Sequence, residues 1–325
     1  MSNDAASYAR GVAEPRGMSR EGYINMAKAK KERNADTVGR LRGLPAGSPE
    51  QIDYALHLVE TGARLDLAQA ALDVLADTAD PRVRPALLAG YALCSSGASA
   101  DPGCYLRVAL LQALRPLVRK ADGALLEGAV LTYEFTPPFT PPHRGESAAG
   151  LRSVALVVLN EIDETLAGYH GVRLLTDRYT SPMSGEPAVT AVRLLRAQGH
   201  ALPLYDYLLR DGDGVAEVVG ECLRSLDETP ASILAPLVER YREDEDEIVL
   251  LGLFDLLLTR EDHASYTEEA LTFLETTRLY NVYRYVVNTI VARRRTSLIA
   301  ALDTMLAGEK DRMKAEILRE ALALR

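Results

Sequence analysis

Between Leu65 and Cys94 the chain LDLAQAALDVLADTADPRVRPALLAGYALC sets out a pattern of apolar positions that later segments repeat. Ala68, Ala71, Leu72 and Leu75 recur at three- and four-residue spacing, which lines one face of a helix. Asp77-Thr78-Ala79-Asp80 supplies turn and cap chemistry, and Pro81 suits a first helical position because its missing N–H goes unused there. Val83, Ala86, Leu87, Gly90, Tyr91 and Cys94 then repeat the spacing. The small side chains of Ala86, Ala89 and Gly90 predict close approach by a neighbouring helix. Pro85 is expected to remove an early hydrogen bond and kink the second helix.

The same pattern extends along the chain. Ser48-Pro49-Glu50-Gln51 forms a capping-box sequence ahead of the apolar face Ile52, Ala55, Leu56 and Val59, with Gly62 as a stop. Leu106, Leu110, Leu114 and Leu117 define a further helix, followed by one from Asp122 to about Tyr133. From Pro187 onward, helical stretches fall at 187–198, 200–210, 214–226, 231–242, 246–259, 266–276, 280–293, 297–307 and 311–323. Val215, Ile248 and Val282 occupy comparable places near helix starts, 33 and 34 residues apart, which matches helical-hairpin repeats. Period-two alternation never persists, so no strand is predicted. Each hairpin is too apolar to stand alone, and stacked neighbours bury a continuous core.

The succession of an aliphatic helix, an acidic turn and Asp80-Pro81-Arg82-Val83-Arg84 opening the next helix resembles the HEAT-repeat family of armadillo-like proteins. The resemblance implies an all-α fold, a right-handed α-solenoid of HEAT-like helical hairpins over residues 48–325. It also implies that second helices line the concave face. Superposing those helices on Val215, Ile248 and Val282 aligns Glu217 with Leu250 and Arg284, and Glu221 with Phe254 and Asn288. The inner surface then carries acidic, apolar and basic rungs in succession. A mixed ridge suits a peptide or protein better than a phosphate backbone, which wants uniformly basic rungs. Tyr280, Tyr283 and Tyr285, with Arg293-Arg294-Arg295, serve either such an interface or the packing between repeats.

Two segments break the pattern. Residues 134–146, EFTPPFTPPHRGE, carry two Thr-Pro-Pro units that favour extended backbone, together with Phe135 and Phe139. This segment is an inter-repeat connection or, through Phe139, a partner-docking loop. Residues 1–47 are expected to be a flexible basic arm. The net charge is −9, yet Arg16–Arg42 holds eight basic residues and three acids, leaving −14 on the remainder. An acidic body repels nucleic acid and anionic lipid, while Lys28, Lys30, Lys31 and Arg33 can attract nucleic acid.

Composition narrows the chemistry further. Hydrophobic residues make up 47 % and charged residues 26 %, as expected of a folded domain, and no apolar run approaches the roughly 18 residues of a membrane span. No membrane partner is therefore expected. Cys94, Cys104 and Cys222 lack metal-type spacing and read as buried thiols of a cytoplasmic protein without a visible secretory signal. His57, His143, His170, His200 and His263 are scattered, and no nucleotide-binding or nucleophile-elbow motif occurs. His143-Arg144-Gly145-Glu146 reads as a solvated loop before an acid–base cluster, and Asp211-Gly-Asp213-Gly reads as a turn lacking the later ligands of a calcium loop. No metal, cofactor or catalytic residue is assigned. Asp255, within LLGLFDLLL, must reach solvent or find a donor, because burying an unpaired carboxylate costs several kcal/mol. Gly252, Asp255 and Thr259 share a face that forms a narrow polar stripe.

The expected function is that of a non-catalytic scaffold or adaptor, binding an unidentified protein or peptide through Glu217, Glu221, Leu250, Phe254, Arg284, Asn288 and Phe139. The alternative is nucleic-acid association through the basic arm. A third reading, a HEAT-like DNA glycosylase using Asp255, is disfavoured by the acidic body and the absence of Trp.

Overall fold

The structure, a computed structural model, describes residues 36–325 apart from 63, 97–100, 136–144, 211–213 and 261. Among the described residues it is all-helical, with seventeen α-helices and no strand. An isolated antiparallel bridge joins Phe135 and Glu146. Two compact units divide the chain, one ending at Ile162 and the other beginning at Asp163.

The first unit holds α1 (residues 36–43), α2 (Pro49–Glu60), α3 (Leu65–Leu75), α4 (Val83–Cys94), α5 (Tyr105–Leu114), α6 (Gly123–Val130) and α7 (Ala149–Asn160). Helices α2 and α3, α4 and α5, and α6 and α7 pair as hairpins, while α2 packs on α4 and α5 on α7. The Ser48 hydroxyl caps α2 by accepting from the Gln51 N–H at 3.2 Å. Gln51 does not complete a reciprocal box. Its Oε1 accepts from the Gly47 N–H and its Nε2 donates to the Leu41 carbonyl, tying α1 to α2.

Helix α4 begins at Val83, two residues later than the proline pattern predicts. Asp80 holds the preceding turn by accepting from the Arg82 N–H at 2.8 Å and from its guanidinium, which also reaches Asp53 on α2. The later start places Pro85 in the first turn, where no intrahelical bond is lost and no kink is needed. Gly90 lies against α2 so closely that a Cβ would sit 2.8 Å from the Val59 carbonyl oxygen. Ala89, by contrast, faces solvent.

The second unit holds α8 (Glu164–Leu175), α9 (Ala188–Ala197), α10 (Ala201–Arg210), α11 (Ala216–Arg224), α12 (Ala231–Tyr241), α13 (Glu247–Thr259), α14 (Thr267–Thr276), α15 (Tyr280–Ala292), α16 (Thr296–Gly308) and α17 (Arg312–Leu322). Helices α9, α11, α13, α15 and α17 pack side by side in that order. Helices α10, α12 and α16 pack on this row, and α14 packs on α16. At the tightest crossing, a Cβ on Gly252 of α13 would meet the Gly220 carbonyl oxygen of α11 at 2.3 Å. Backbone therefore rests on backbone, and the glycine predicted to belong to a polar stripe is instead a packing site.

A second device joins successive hairpins. Helix C-termini leave carbonyls without intrahelical partners, and those ends carry partial negative charge. Here a cation placed 31–40 residues later in the chain covers them. Arg240 donates to the carbonyls of Leu208 and Leu209 at the end of α10. Arg260 reaches the Asp227 and Thr229 carbonyls of the loop between α11 and α12 in the same way, without covering a helix end. Arg295 donates to the carbonyls of Leu258, Thr259 and Arg260. Buried Lys314 donates to those of Leu274 and Glu275, with its ammonium 5.1 Å from the Tyr283 ring centroid.

Candidate interaction surface

Helices α11, α13 and α15 are neighbours, so the three helices chosen by their spacing do form one surface. Their outward residues only partly match the expected rungs. Glu217 is half-buried, and Arg284 and Asn288 are exposed. Leu250 and Phe254 are each 1 % exposed, which places both in the core and corrects their assignment to a binding ridge. The three reference residues are not equivalent. Val215 is the N-cap of α11, whereas the N-caps of α13 and α15 are Asp246 and Leu279. Ile248 is thus the second residue of α13 and Val282 the third of α15, and the alignment misrotates α13. Its true outward stripe is Ile248, Leu251, Asp255 and Thr259, at spacings of three and four.

Polar contacts cross this face from helix to helix. Arg193 of α9 donates to Glu221 of α11 at 3.1 Å, and Arg224 approaches the same carboxylate at 3.3 Å. Glu221 is 7 % exposed, so its role is to join α9 and α11 instead of presenting an open charge. Asn281 of α15 donates to Glu247 of α13 at 3.1 Å, and Arg284 of α15 pairs with Glu320 of α17 at 3.0 Å. The Tyr280 hydroxyl donates to Asp311, the N-cap of α17, at 2.8 Å. Asp255 finds its donor in the Tyr285 hydroxyl, the need that its apolar surroundings implied. Burial, then the adjacent Asp255 carboxylate, pushes the Tyr285 phenol up. Ile248, Tyr280 and Tyr285 keep more than a third of their surface in solvent amid these pairs. Tyr283, by contrast, is fully buried and serves the packing between helices.

The first unit commits its most buried charges to the stem of the proline-rich segment. Arg107 of α5 donates to Glu134 at 2.6 and 2.9 Å, to Asp101 at 3.1 Å and to the Cys104 sulfur at 3.1 Å. Hydrogen bonds from Arg107 hold the Glu134 carboxyl below its ordinary range. Burial pushes the Cys104 thiol up to about 12, so this cysteine is no nucleophile at neutral pH. On the other side, fully buried Arg152 donates to Glu146 at 3.0 Å and to the Thr132 carbonyl, beneath the Tyr133 ring at 4.2 Å. Glu146 is thereby a structural anion and is not the free acid of a His–Glu cluster. These two clamps flank the Phe135–Glu146 bridge.

Lys28, Lys30, Lys31, Arg33 and Phe139 lie outside the described residues, as does the Asp211–Asp213 turn. Among the described residues, no group of three or more His, Cys, Asp and Glu is placed to hold a metal ion, and no helix is long and apolar enough to cross a membrane. The buried arginine clamps and the carbonyl-capping cations escaped the sequence reading. The one signal available for the caps was a Lys or Arg recurring one hairpin length after a helix end. Comparison with known protein families, with curated proteins and with solved structures finds no match.

Proposed function

We propose that the chain is a non-catalytic, protein-binding α-solenoid of HEAT-like hairpins, using the outward face of α11, α13 and α15 to hold a protein or peptide. The observation that carries this reading is the exposure of Ile248 on α13 and of Arg284, Tyr285 and Asn288 on the neighbouring α15. Tyr and Arg supply most of the energy at typical interfaces, and apolar contact surrounded by polar groups is the usual anatomy of such a patch. The rungs between helices fix the positions of these side chains before any partner arrives, which lowers the entropic cost of binding. Right-handed stacking and a concave inner face belong to the same proposal, whose stacked row rests on the side-by-side order of α9, α11, α13, α15 and α17.

The test compares co-purified proteins recovered with the natural chain and with an Ile248→Asp/Arg284→Ala/Asn288→Ala variant. Asp at the second residue of a helix suits its N-terminus, so the variant should remain folded. A protein recovered by the natural chain and lost by the folded variant supports the proposal. Identical recoveries, or partner-free protein in both cases, refute it.

A further inference from the structure

An open groove of about 700 Å³ lies between α8 and α10 in the second unit, with the turn at residues 198–200 also lining it. Helix α8 gives Tyr169 and Val172 to one wall, and α10 gives Leu202 and Pro203 to the other. These walls can be reached from solvent, because Tyr169 is 74 % exposed, Leu202 80 % and Val172 44 %. Leu209, 45 % exposed, follows Leu202 after about two helical turns and prolongs the apolar stripe along α10. The turn is fixed before any partner arrives. Gln198 Nε2 donates to the Glu164 carbonyl of α8 at 2.8 Å, and the His200 N–H donates to the Leu195 carbonyl of α9 at 2.8 Å. Contiguous exposed apolar surface of this kind marks a place of association.

We propose that this groove receives an amphipathic helix of a partner protein, with apolar anchors at helical spacing and a Lys or Arg set against Glu164. Small-molecule sites enclose most of their ligand, whereas walls this exposed leave the far side of an occupant open. An added strand needs a free sheet edge, and both walls here are helices. Proline-rich ligands are gripped by aromatic-lined grooves, but Val172, Leu202 and Pro203 make most of these walls aliphatic. Aliphatic ridges on two helices accept the ridges of a third. Charge selects among helices. Glu164 stands exposed at the groove and the chain carries a net −9, which attracts a basic segment and repels a second copy of the chain. The Tyr169 ring offers a face for that cation or its hydrocarbon stem. None of these side chains belongs to the face of α11, α13 and α15, so the two proposals stand or fall separately.

Selection of a displayed random-peptide library on the full chain, followed by affinity measurements on the natural and Leu202→Asp proteins, tests the assignment. Leu202 is the second residue of α10, where Asp suits the helix N-terminus, and Tyr169→Ala on the opposite wall serves if that variant fails to fold. The selected peptides should bind the folded variant at least about tenfold more weakly. They should carry apolar residues at i, i+3 or i+4, and i+7 with Lys or Arg beside them, and circular dichroism should show them helical when bound. Glu164→Gln should weaken the same peptides by about twofold or more. Selected peptides that are proline-rich or acidic, affinities unchanged in the folded variants, or the absence of any selected peptide would overturn the inference. Sedimentation showing a dimer of the natural chain that Leu202→Asp dissociates would assign the groove to a second copy and overturn it as well.

Discussion

Arg152 shows what single residues contribute here. Its guanidinium is wholly buried and has an anion, a carbonyl and an aromatic face around it. Removing one member of a buried ion pair strands the other, at a cost of about 3–5 kcal/mol. Arg152→Met should therefore lower the unfolding free energy by about that amount, measured by urea denaturation, and adding Glu146→Gln should recover part of it. Glu134 makes the opposite clamp sensitive to acid. Its folded-state pKa is depressed, so its stabilising effect is complete above the ordinary carboxylate value and is lost as pH falls from there through the depressed folded-state value. Melting temperature should fall more steeply with acidification in the natural chain than in Glu134→Gln, which lacks this titration. Cys104 carries the reverse shift, and its native thiol should resist alkylation at pH 8 until the chain unfolds.

At the scale of elements, most helices were legible from spacing and caps. The stretches from residue 187 onward agree with observed helices to within one or two residues at each end, because apolar stripes mark them and, at α13 and α17, Asp caps do so as well. Asp246, which closes the acidic run before α13, accepts from the Ile248 and Val249 N–H groups, and Asp246→Ala should cost about 1 kcal/mol. The facing of α13 was not legible. EIVLLGLFDLLLT is apolar nearly all round, so periodicity selects no outward side, and only contact with Gly220 settles it. Gly252→Ala would force α11 and α13 apart, and should lower stability by about 1–3 kcal/mol or more. Circular dichroism should show retained helix content at a reduced melting temperature. Arg107 and Arg152 were invisible for a related reason. Nothing in the spacing of a lone arginine announces that carboxylates 27 residues later or six residues earlier will enclose it.

For the whole molecule, linear order and spatial order coincide within the second unit. Charges that look like solvated decoration in the sequence join α9 to α11, α13 to α15 and α15 to α17, while α11 and α13 meet backbone to backbone. This is why the three helices picked out by spacing are neighbours, yet Leu250, Phe254 and Glu221 on them are buried. Spacing identifies which helices are neighbours, while side-chain facing depends on how they roll against one another. Coupling between adjacent hairpins also predicts a local response to damage. Arg295→Ala, which bares the last carbonyls of α13, should speed amide hydrogen exchange in α13 and α15 while leaving α9 and α10 near their original rates.

The carbonyl caps have one more property, which is direction. At the ends of α10, α13 and α14 the capping cation comes later in the chain than the carbonyls it covers. During synthesis, then, α10, α13 and α14 leave the ribosome with open carbonyls and receive their closing charge only after some 31–40 further residues have been added. At these three joints assembly has a built-in arrow from N- to C-terminus, a later cation completing a helix made before it.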